Sequence, residues 1–380
     1  LGAAGLDLGQ IDAQFAGKGA HRGAGVHLAA EGDGRRGCGG GLGGYGRGCR
    51  MKIEQDTAEI LSGVRHGKTL GSPITVQVRN RDHANWQRIM GAHAHDTDER
   101  VVTCPRPGHA DLPGAQKYGF TDLRNVLERA SARETAVRVA LGALAKQLLD
   151  RFSIRIMSRV VRIGGAATRR AFDPAAQAAY AACPVYCGDA AAAKKMMRAI
   201  DAAKRAGDTL GGVVEVAALN LPPGLGSHVQ WDRRLDARLA AAVMGVPAIK
   251  GVEFGLGFAA AARPGSRVHD PIELRGRALR YRGNNAGGVL GGISSGAPLL
   301  LRAAMKPIPT LMRPLPTVDL RTGRAADAAQ ERSDTCAVPA AAVVLEAVVA
   351  LELAALFMEK FGGDALDETR RNFEGYLATL

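Results

Sequence analysis

The spacing of apolar residues predicts three helices of different character. In 122–152 the apolar positions fall on one helical face, which predicts a long amphipathic helix. A second helix is predicted over 191–206, with Gly207 as its stop signal. The run from 338 to 358 is apolar almost throughout but contains two glutamates. This run is therefore typical of a helix buried in a protein core rather than of a membrane span.

Alternation of apolar and polar residues predicts strands between these helices. The first two strands are predicted over 51–60 and 74–79, with a turn near 71–73. Two more are predicted over 213–221 and 249–254. The strands occur in pairs separated by helices, without the regular βαβ spacing of a doubly wound sheet. This order predicts an α+β fold with antiparallel sheets.

Residues 1–42 differ in character from the rest of the chain. Thirteen of these 42 residues are glycine, which is about four times the usual frequency of ~7%. Neither a helical nor a strand period is sustained in this stretch. We therefore divide the chain into an anomalous Gly-rich segment at 1–42 and a folded domain at 43–380.

The overall composition indicates a globular protein with an anionic partner. Hydrophobic residues make up 46% of the chain, and the formal net charge is +13. Such a charge suggests nucleic acid, a membrane surface or a polyanionic small molecule as partner, although a basic surface alone also accounts for it. Six cysteines in 380 residues are too sparse for a disulfide scaffold or a zinc set, so we expect reduced thiols and no metal site. The sequence has no secretory pattern, which predicts a cytoplasmic location.

Four segments combine cations with small or polar residues in loops or at helix starts. In one of them, Pro107 and Gly108 fix a turn that presents His109 between Arg106 and Asp111. Histidine is the natural proton carrier near neutral pH. Taken singly, each segment is equally typical of a solvated surface. The four segments are 44–52, 106–111, 128–135 and 332–336.

The other three segments offer binding sites for anions. Small residues around Arg47 let the backbone approach a phosphate or carboxylate. Arg129 and Arg133 are four residues apart, so they share a face of the predicted long helix. Asp334 and its neighbours precede the buried helix, whose N-terminus attracts anions. Asp334 is equally typical of an acid at a helix start.

Taken together and in chain order, these segments resemble the chorismate synthase family. The resemblance extends from about Gly43 to the end of the last buried helix. Several motifs in the right order are far more specific than any one of them. The matching segments are 44–47, 59–74, 106–111, 117–119, 129–135, 249–255, 285–296, 306–310 and 332–334.

The resemblance implies a carbon–oxygen lyase of the shikimate pathway, which serves aromatic amino-acid biosynthesis. This family converts 5-enolpyruvylshikimate-3-phosphate to chorismate and phosphate by a 1,4-elimination. It requires reduced FMN without net redox change, and NADPH is a candidate reductant of the flavin. The family fold is a β-α-β sandwich with helices between antiparallel sheets, and the family assembly is a homotetramer.

The resemblance also implies roles for individual residues. The flavin's proton is assigned to His109 and removal of the substrate proton to Asp334. Substrate binding is assigned to Arg47, Arg106, Ser131, Arg133 and Arg332. Cofactor binding is assigned to Arg47, Arg129, Ala130, Ser131, Pro247, Ala248, Gly291, Lys306, Pro307, Ile308, Pro309, Thr310 and Arg332.

The chain departs from the family pattern at three places. Pro247 stands where a polar residue is more usual, and Thr335 replaces the usual proline after Arg-Ser-Asp. The Gly-Glu-Ser-His-Gly motif of the family, which carries a second catalytic histidine, is absent from 1–42. Glycines at 39–41 stand where the family has arginines, as a shift of reading frame in GC-rich DNA would produce. We therefore predict that 1–42 is a wrong-frame translation of the authentic N-terminus.

Two alternatives to an active enzyme follow from these observations. A nucleic-acid-binding protein is suggested by the charge, but aromatic residues make up only 4% of the chain and the cations lie in Gly/Pro turns rather than a stripe. A catalytically impaired homologue that retains flavin or partner binding is suggested by the missing motif. We expect a small anionic substrate, with neither nucleic acid nor membrane as a partner.

Overall fold

A computed structural model describes residues 25–27, 44–47, 56–93, 99–276, 278–331 and 333–380. Side chains are described for all of these except 25–27. The helices are α1 (Asp111–Tyr118), α2 (Arg124–Arg129), α3 (Thr135–Asp150), α4 (Gln177–Ala182), α5 (Ala190–Ala206), α6 (Leu235–Met244), α7 (Phe258–Ala261), α8 (Val338–Phe361) and α9 (Leu366–Leu377).

The strands are mostly short, and many belong to hairpins. They are β1 (Gly25–His27), β2 (Thr57–Ser62), β3 (Val64–Arg65), β4 (Lys68–Thr69), β5 (Thr75–Val78), β6 (Arg155–Ile163), β7 (Ala166–Ala167), β8 (Gly212–Leu219), β9 (Ile249–Phe254), β10 (Ile272–Arg275), β11 (Ala278–Tyr281), β12 (Val289–Leu290), β13 (Ile293–Ser294), β14 (Leu299–Met305), β15 (Pro316–Val318) and β16 (Ala325–Asp327).

Two antiparallel sheets form the framework. The larger has five strands in the order β7-β6-β8-β14-β9, and the smaller has three in the order β1-β2-β5. In the larger sheet, Val216 of β8 lies opposite both Ser158 of β6 and Leu301 of β14. The strand predictions over 213–221 and 249–254 are confirmed by β8 and β9. The predictions over 51–60 and 74–79 are confirmed in part by β2 and β5, whereas 51–55 lies outside the described residues.

Helices α3 and α8 lie between the two sheets. Helix α8 packs against α3 and against β6 and β8 of the larger sheet, while α3 contacts β5 of the smaller sheet. The two helices approach closely at Gly142, where an added Cβ would lie 2.4 Å from the Cβ of Ala347. This order of layers confirms the α+β prediction with helices between antiparallel sheets.

The prediction of one continuous helix over 122–152 is wrong. The chain forms α2, then a 3-10 turn at Ala132–Glu134, then α3. Ser131 has an extended backbone (φ −63, ψ 129), and its side chain accepts a hydrogen bond from the backbone N–H of Arg133. A serine that bonds to nearby backbone competes with the helix in this way. Arg129 and Arg133 therefore do not share a helical face.

Helices α5 and α8 confirm the other two helix predictions. Asp189 caps α5 by accepting hydrogen bonds from two backbone N–H groups, and Gly207 ends it in the left-handed conformation. In the described part of the chain, α8 alone is long and apolar enough to span a membrane. Because 72% of its apolar window is buried inside the protein, α8 is a core helix.

Most of the anomalous segment 1–42 lies outside the described residues. Within it, Gly25–His27 forms β1 and pairs antiparallel with β2, with Val26 opposite Ala58. The domain boundary at 42 and the wrong-frame origin of this segment stay predictions.

Candidate active site

The turn at 44–47 is fixed by contacts with residues that are distant in sequence. The Tyr45 hydroxyl donates to Asp201 on α5 at 2.9 Å, and the Tyr45 N–H donates to the carbonyl of Pro184 at 2.9 Å. The carbonyl of Gly46 accepts from the N–H of Thr335 at 2.8 Å. The turn is therefore held between α5 and the residues that precede α8.

Only glycine fits the middle of this turn without strain. Gly46 has a positive φ of +95, and an added Cβ would lie 3.0 Å from Ile200 and 3.1 Å from Cys336. Both the conformation and the close approach exclude a larger residue. Cys336 is buried, and burial raises the pKa of its thiol to about 11.

The turn brings two of the predicted site residues together. Arg47 Nη1 lies 3.2 Å from Asp334 Oδ2, and these side chains are 18% and 21% exposed. Asp334 lies four residues before α8 begins. The predicted anion-binding arginine and the predicted proton-accepting acid thus form one partly exposed ion pair. Arg332 lies outside the described residues, so its role stays a prediction.

A second arginine–carboxylate pair surrounds the predicted catalytic histidine. Arg106 donates from its backbone N–H and from Nε to Asp111 Oδ2, at 3.0 and 2.8 Å. Asp111 Oδ1 lies 2.5 Å from His109 Nδ1. Burial raises the pKa of Asp111, but hydrogen bonds from His109 and Arg106 outweigh burial and hold that pKa well below its ordinary value. Asp111 is therefore an ionised carboxylate in the interior.

The loop 306–310 packs against this histidine loop. Arg106 Nη1 donates to Thr310 Oγ1 at 2.8 Å, and Lys306 Nζ donates to the carbonyl of Gly108. The backbone N–H of Lys306 donates to the carbonyl of Ala248 at 2.9 Å. The two predicted cofactor segments Pro247–Ala248 and Lys306–Thr310 are thus adjacent, and the second contacts the loop that holds the predicted catalytic His109.

The segment Thr209–Leu210, called the strap below, connects the two ion pairs. Thr209 Oγ1 donates to the carbonyl of Ile308 at 2.7 Å, and the N–H of Leu210 donates to the carbonyl of Thr335 at 2.9 Å. These consecutive residues follow α5 and touch both sides of the site. The sequence motifs do not identify Thr209, Leu210 or Asp201, because no local pattern distinguishes a residue whose partner is as distant in sequence as the 156 residues between Tyr45 and Asp201.

Three other predicted residues line a separate cavity. Arg129, Ser131 and Arg133 border a space of about 220 Å³ between α2, α3 and the end of β5. Arg133 Nη1 lies 2.6 Å from Asp56 Oδ1. Ala130 lies in the turn between Arg129 and Ser131, where α2 ends. The residues that border this cavity include neither His109 nor Asp334.

Gly291, another predicted cofactor residue, lies apart from the loop 306–310. It occupies the turn between β12 and β13 with a φ of +59, and no heavy atom would lie within 4 Å of an added Cβ. The neighbouring Gly288 lies against Leu299 at the start of β14, whereas Lys306 follows the end of that strand. Seven strand residues span about 20 Å. Within one chain, Gly291 is therefore not brought to Lys306.

Comparison with known proteins agrees with the resemblance in the motifs. The family model "Chorismate synthase" matches residues 35–358. The chorismate synthase of Trichlorobacter lovleyi is 60% identical over 348 residues, which cover 89% of each chain. Those of Geobacter sulfurreducens and Moorella thermoacetica are each 58% identical, and the aligned residues cover 88% of each chain.

A solved structure extends the likeness to three dimensions. A chorismate synthase crystal structure superimposes with a TM-score of 0.68 at 43% sequence identity. The superposition covers 85% of this chain and 84% of the other. The structural match and the sequence matches therefore indicate the same family.

Proposed function

The chain belongs to the chorismate synthase family, and from that premise we propose that it converts 5-enolpyruvylshikimate-3-phosphate to chorismate and phosphate. The reaction removes a proton and a phosphate from the substrate and forms a carbon–carbon double bond, so it is a carbon–oxygen lyase reaction without net redox change. The observation that carries the proposal is the ion pair between Arg47 and Asp334. Thr209 and Leu210 connect this pair to the loop 306–310, which packs against the loop that holds His109.

Arg47 and Asp334 divide substrate binding and proton removal between them. The substrate carries a phosphate and two carboxylates, and a guanidinium binds such groups through charge-assisted hydrogen bonds. When the substrate arrives, its anionic groups compete with Asp334 for Arg47. Asp334 then lies beside the bound substrate as a carboxylate that can accept the proton. His109, 18% exposed, holds or moves a proton on the cofactor side of the site.

The charges near Lys306 fit a cofactor that carries a phosphate. Burial and then the nearby Lys250 lower the pKa of Lys306. A bound phosphate would relieve the repulsion between these two lysines. Reduced FMN, when bound, would supply electron density to the substrate as phosphate leaves. The residues of the site would bind and orient the substrate and exclude water.

We also propose that the protein is a homotetramer and that it is located in the cytoplasm. The family resemblance supports the homotetramer, and the separation of Gly291 from Lys306 within one chain agrees with a site completed by assembly. NADPH as the reductant of the flavin rests on the resemblance alone. Light scattering of the purified chain tests the assembly, and a monomer that turns over substrate would contradict it.

Anaerobic turnover tests the proposed activity. The chain is mixed with chemically reduced FMN and 5-enolpyruvylshikimate-3-phosphate, and both chorismate and inorganic phosphate are measured. We expect equal amounts of the two products, and no product with oxidised FMN under the same conditions. Flavin and substrate binding without product would instead support the catalytically impaired homologue.

A further inference from the structure

Asp111 occupies a position that the proposed reaction does not yet explain. It lies in the first turn of α1, is fully buried and directs both carboxylate oxygens at the histidine loop. Oδ2 accepts from the backbone N–H and Nε of Arg106, and Oδ1 lies 3.2 Å from Arg106 Nη2 and 2.5 Å from His109 Nδ1. A buried carboxylate with this many contacts is fixed in one orientation.

The contact between Asp111 and His109 determines which ring nitrogen carries a proton. An ionised carboxylate only accepts hydrogen bonds, so the nitrogen 2.5 Å away must be the donor. Arg106 Nη2 lies 3.0 Å from Nδ1 and 3.3 Å from Nε2. Because a guanidinium only donates, it cannot bond to an Nδ1 that already carries hydrogen, and it can donate to Nε2. Asp111 thus sets the tautomer, and Arg106 is compatible with it although Nη2 lies closer to Nδ1 than to Nε2.

We infer that Asp111 is a positioning residue that keeps hydrogen on Nδ1 of His109 and leaves Nε2 as the atom that exchanges the proton. Arg106 completes the arrangement by holding Asp111 in place. The inference rests on the proposed function for the use of Nε2, whereas the tautomer itself is a property of the protein alone. Lys306 contacts the loop at Gly108, and Lys250 lies near Lys306; as cations these two side chains provide no competing acceptor for Nδ1.

The arrangement also changes the expected role of Arg106. Each of its side-chain nitrogens has an acceptor within the protein: Asp111 for Nε, Thr310 for Nη1, and both Asp111 and His109 for Nη2. The side chain is 8% exposed. Arg106 therefore acts on the reaction through Asp111 and His109 rather than as a binding site for substrate anions.

Nitrogen NMR of the flavin-free protein tests the inference without any turnover. The full chain is labelled with ¹⁵N-histidine and long-range N–H correlations are recorded at pH 8, with His109 assigned from the spectrum of a His109→Asn variant. We expect the Nδ1–H tautomer. In Asp111→Asn we expect the side-chain oxygen to keep accepting from the backbone N–H and Nε of Arg106. The amide NH₂ then faces His109 and donates to Nδ1, so we expect the Nε2–H tautomer. An Nε2–H tautomer in the unmodified protein would overturn the inference.

Kinetics of the same variant show whether the tautomer matters to the reaction. We expect kcat of Asp111→Asn to fall on the order of 10²–10⁴-fold, the usual contribution of a proton-transfer group, with KM little changed. A variant that keeps the Nδ1–H tautomer yet loses kcat to that extent would overturn the positioning role. If the chain shows the expected tautomer but forms no chorismate under any condition, the proposed function fails and the tautomer assignment stands.

Asp122→Asn is the matched control. Asp122 accepts from the backbone N–H of Val102 at 3.0 Å and of Arg124 at 2.9 Å, so it stabilises the same part of the fold without touching His109. We expect this variant to lose stability while keeping the Nδ1–H tautomer. If Asp122→Asn also changed the tautomer, the effect of Asp111→Asn would be a general loosening of the loop and the inference would be wrong. If Asp111→Asn does not fold, the spectrum of the unmodified protein alone decides.

Discussion

Two arginine–carboxylate pairs lie on opposite sides of the Thr209–Leu210 strap, and they differ in exposure. The buried pair, Arg106 and Asp111, has side chains 8% and 0% exposed. The partly exposed pair, Arg47 and Asp334, has side chains 18% and 21% exposed. The two pairs are chemically identical, and both lie in motifs of the same family.

This difference in exposure indicates that the buried pair stabilises the site, whereas the partly exposed pair can contact the substrate. In the buried pair, the arginine's donors are taken by neighbours that a substrate cannot displace without opening the interior. In the partly exposed pair, a substrate anion can compete for the guanidinium from solvent. Removing one member of a buried pair leaves an uncompensated charge in the interior, whereas a partly exposed pair is solvated when broken. The comparison therefore predicts that loss of the first pair lowers stability and affects turnover only through His109, whereas loss of the second pair lowers turnover with little effect on stability.

The largest expected effect is on stability, in Asp111→Ala. This change leaves Arg106 buried without its carboxylate, so we expect the free energy of unfolding to fall by about 3–5 kcal/mol. Asp334→Ala is the matched variant, and its expected loss is within about 1 kcal/mol. Urea unfolding followed by circular dichroism measures both. Equal losses in the two variants would remove the distinction between the pairs.

The next effect is on turnover, in Asp334→Asn. The variant keeps the shape of the side chain but cannot accept the substrate proton, so we expect kcat to fall about 10²–10⁴-fold. The same anaerobic assay of chorismate formation measures it, with urea unfolding as the check on folding. An unchanged kcat would show that another group removes the proton.

A smaller effect on substrate binding is expected for Arg47→Ala. A hydrogen bond to a charged group contributes about 1.5–3 kcal/mol, which corresponds to a rise in KM of about 10–100-fold. Arg170→Ala is the control, because Arg170 is 72% exposed and its ion-pair partner, Asp189, belongs to neither pair. A rise in KM for Arg170→Ala of the same size would mean that general charge, not the pair, attracts the substrate.

Acid should reduce the stability that the buried pair contributes to the fold. The pKa of Asp111 lies below its ordinary value of 3.8. A carboxyl with a depressed pKa stabilises the fold fully above its ordinary pKa and loses that contribution as pH falls below it. We expect the free energy of unfolding to decline below pH 3.8 more steeply in the unmodified chain than in Asp111→Asn. Parallel declines would assign the acid sensitivity to other groups.

The smallest effect is expected for Tyr45→Phe, which loosens the turn that carries Arg47. Loss of the hydrogen bond to Asp201 should cost about 0.5–1.5 kcal/mol of unfolding free energy. Tyr118→Phe is the control, since Tyr118 is 63% exposed. A loss in Tyr118→Phe as large as in Tyr45→Phe would show that Asp201 does not anchor the turn.

The sequence predicted those features that depend on local pattern. Helices α5 and α8 follow from apolar periodicity and from the stop at Gly207, and the order of motifs identified the family. The break at Ser131 was missed, because a single side-chain hydrogen bond outweighed the helical pattern around it. The contact between Tyr45 and Asp201 joins residues 156 apart, and no local signal marks such a partner.

The burial of the two arginines differs in a way that their motifs do not predict. Both Arg47 and Arg106 were predicted to bind substrate anions, because a guanidinium in a Gly-containing turn suits that task. Arg106 is the more buried of the two because 306–310 packs against the histidine loop. This contact between distant segments cannot be predicted from either motif.

Guanidinium NMR of the two arginines during substrate titration tests the central claim most directly. The chain is labelled with ¹⁵N-arginine, and the Nε signals are assigned from Arg47→Lys and Arg106→Lys variants. On addition of 5-enolpyruvylshikimate-3-phosphate, we predict that the Arg47 signal shifts while the Arg106 signal stays in place. A shift of the Arg106 signal with an unmoved Arg47 signal would contradict the account, because the buried pair would then be the one that meets the substrate.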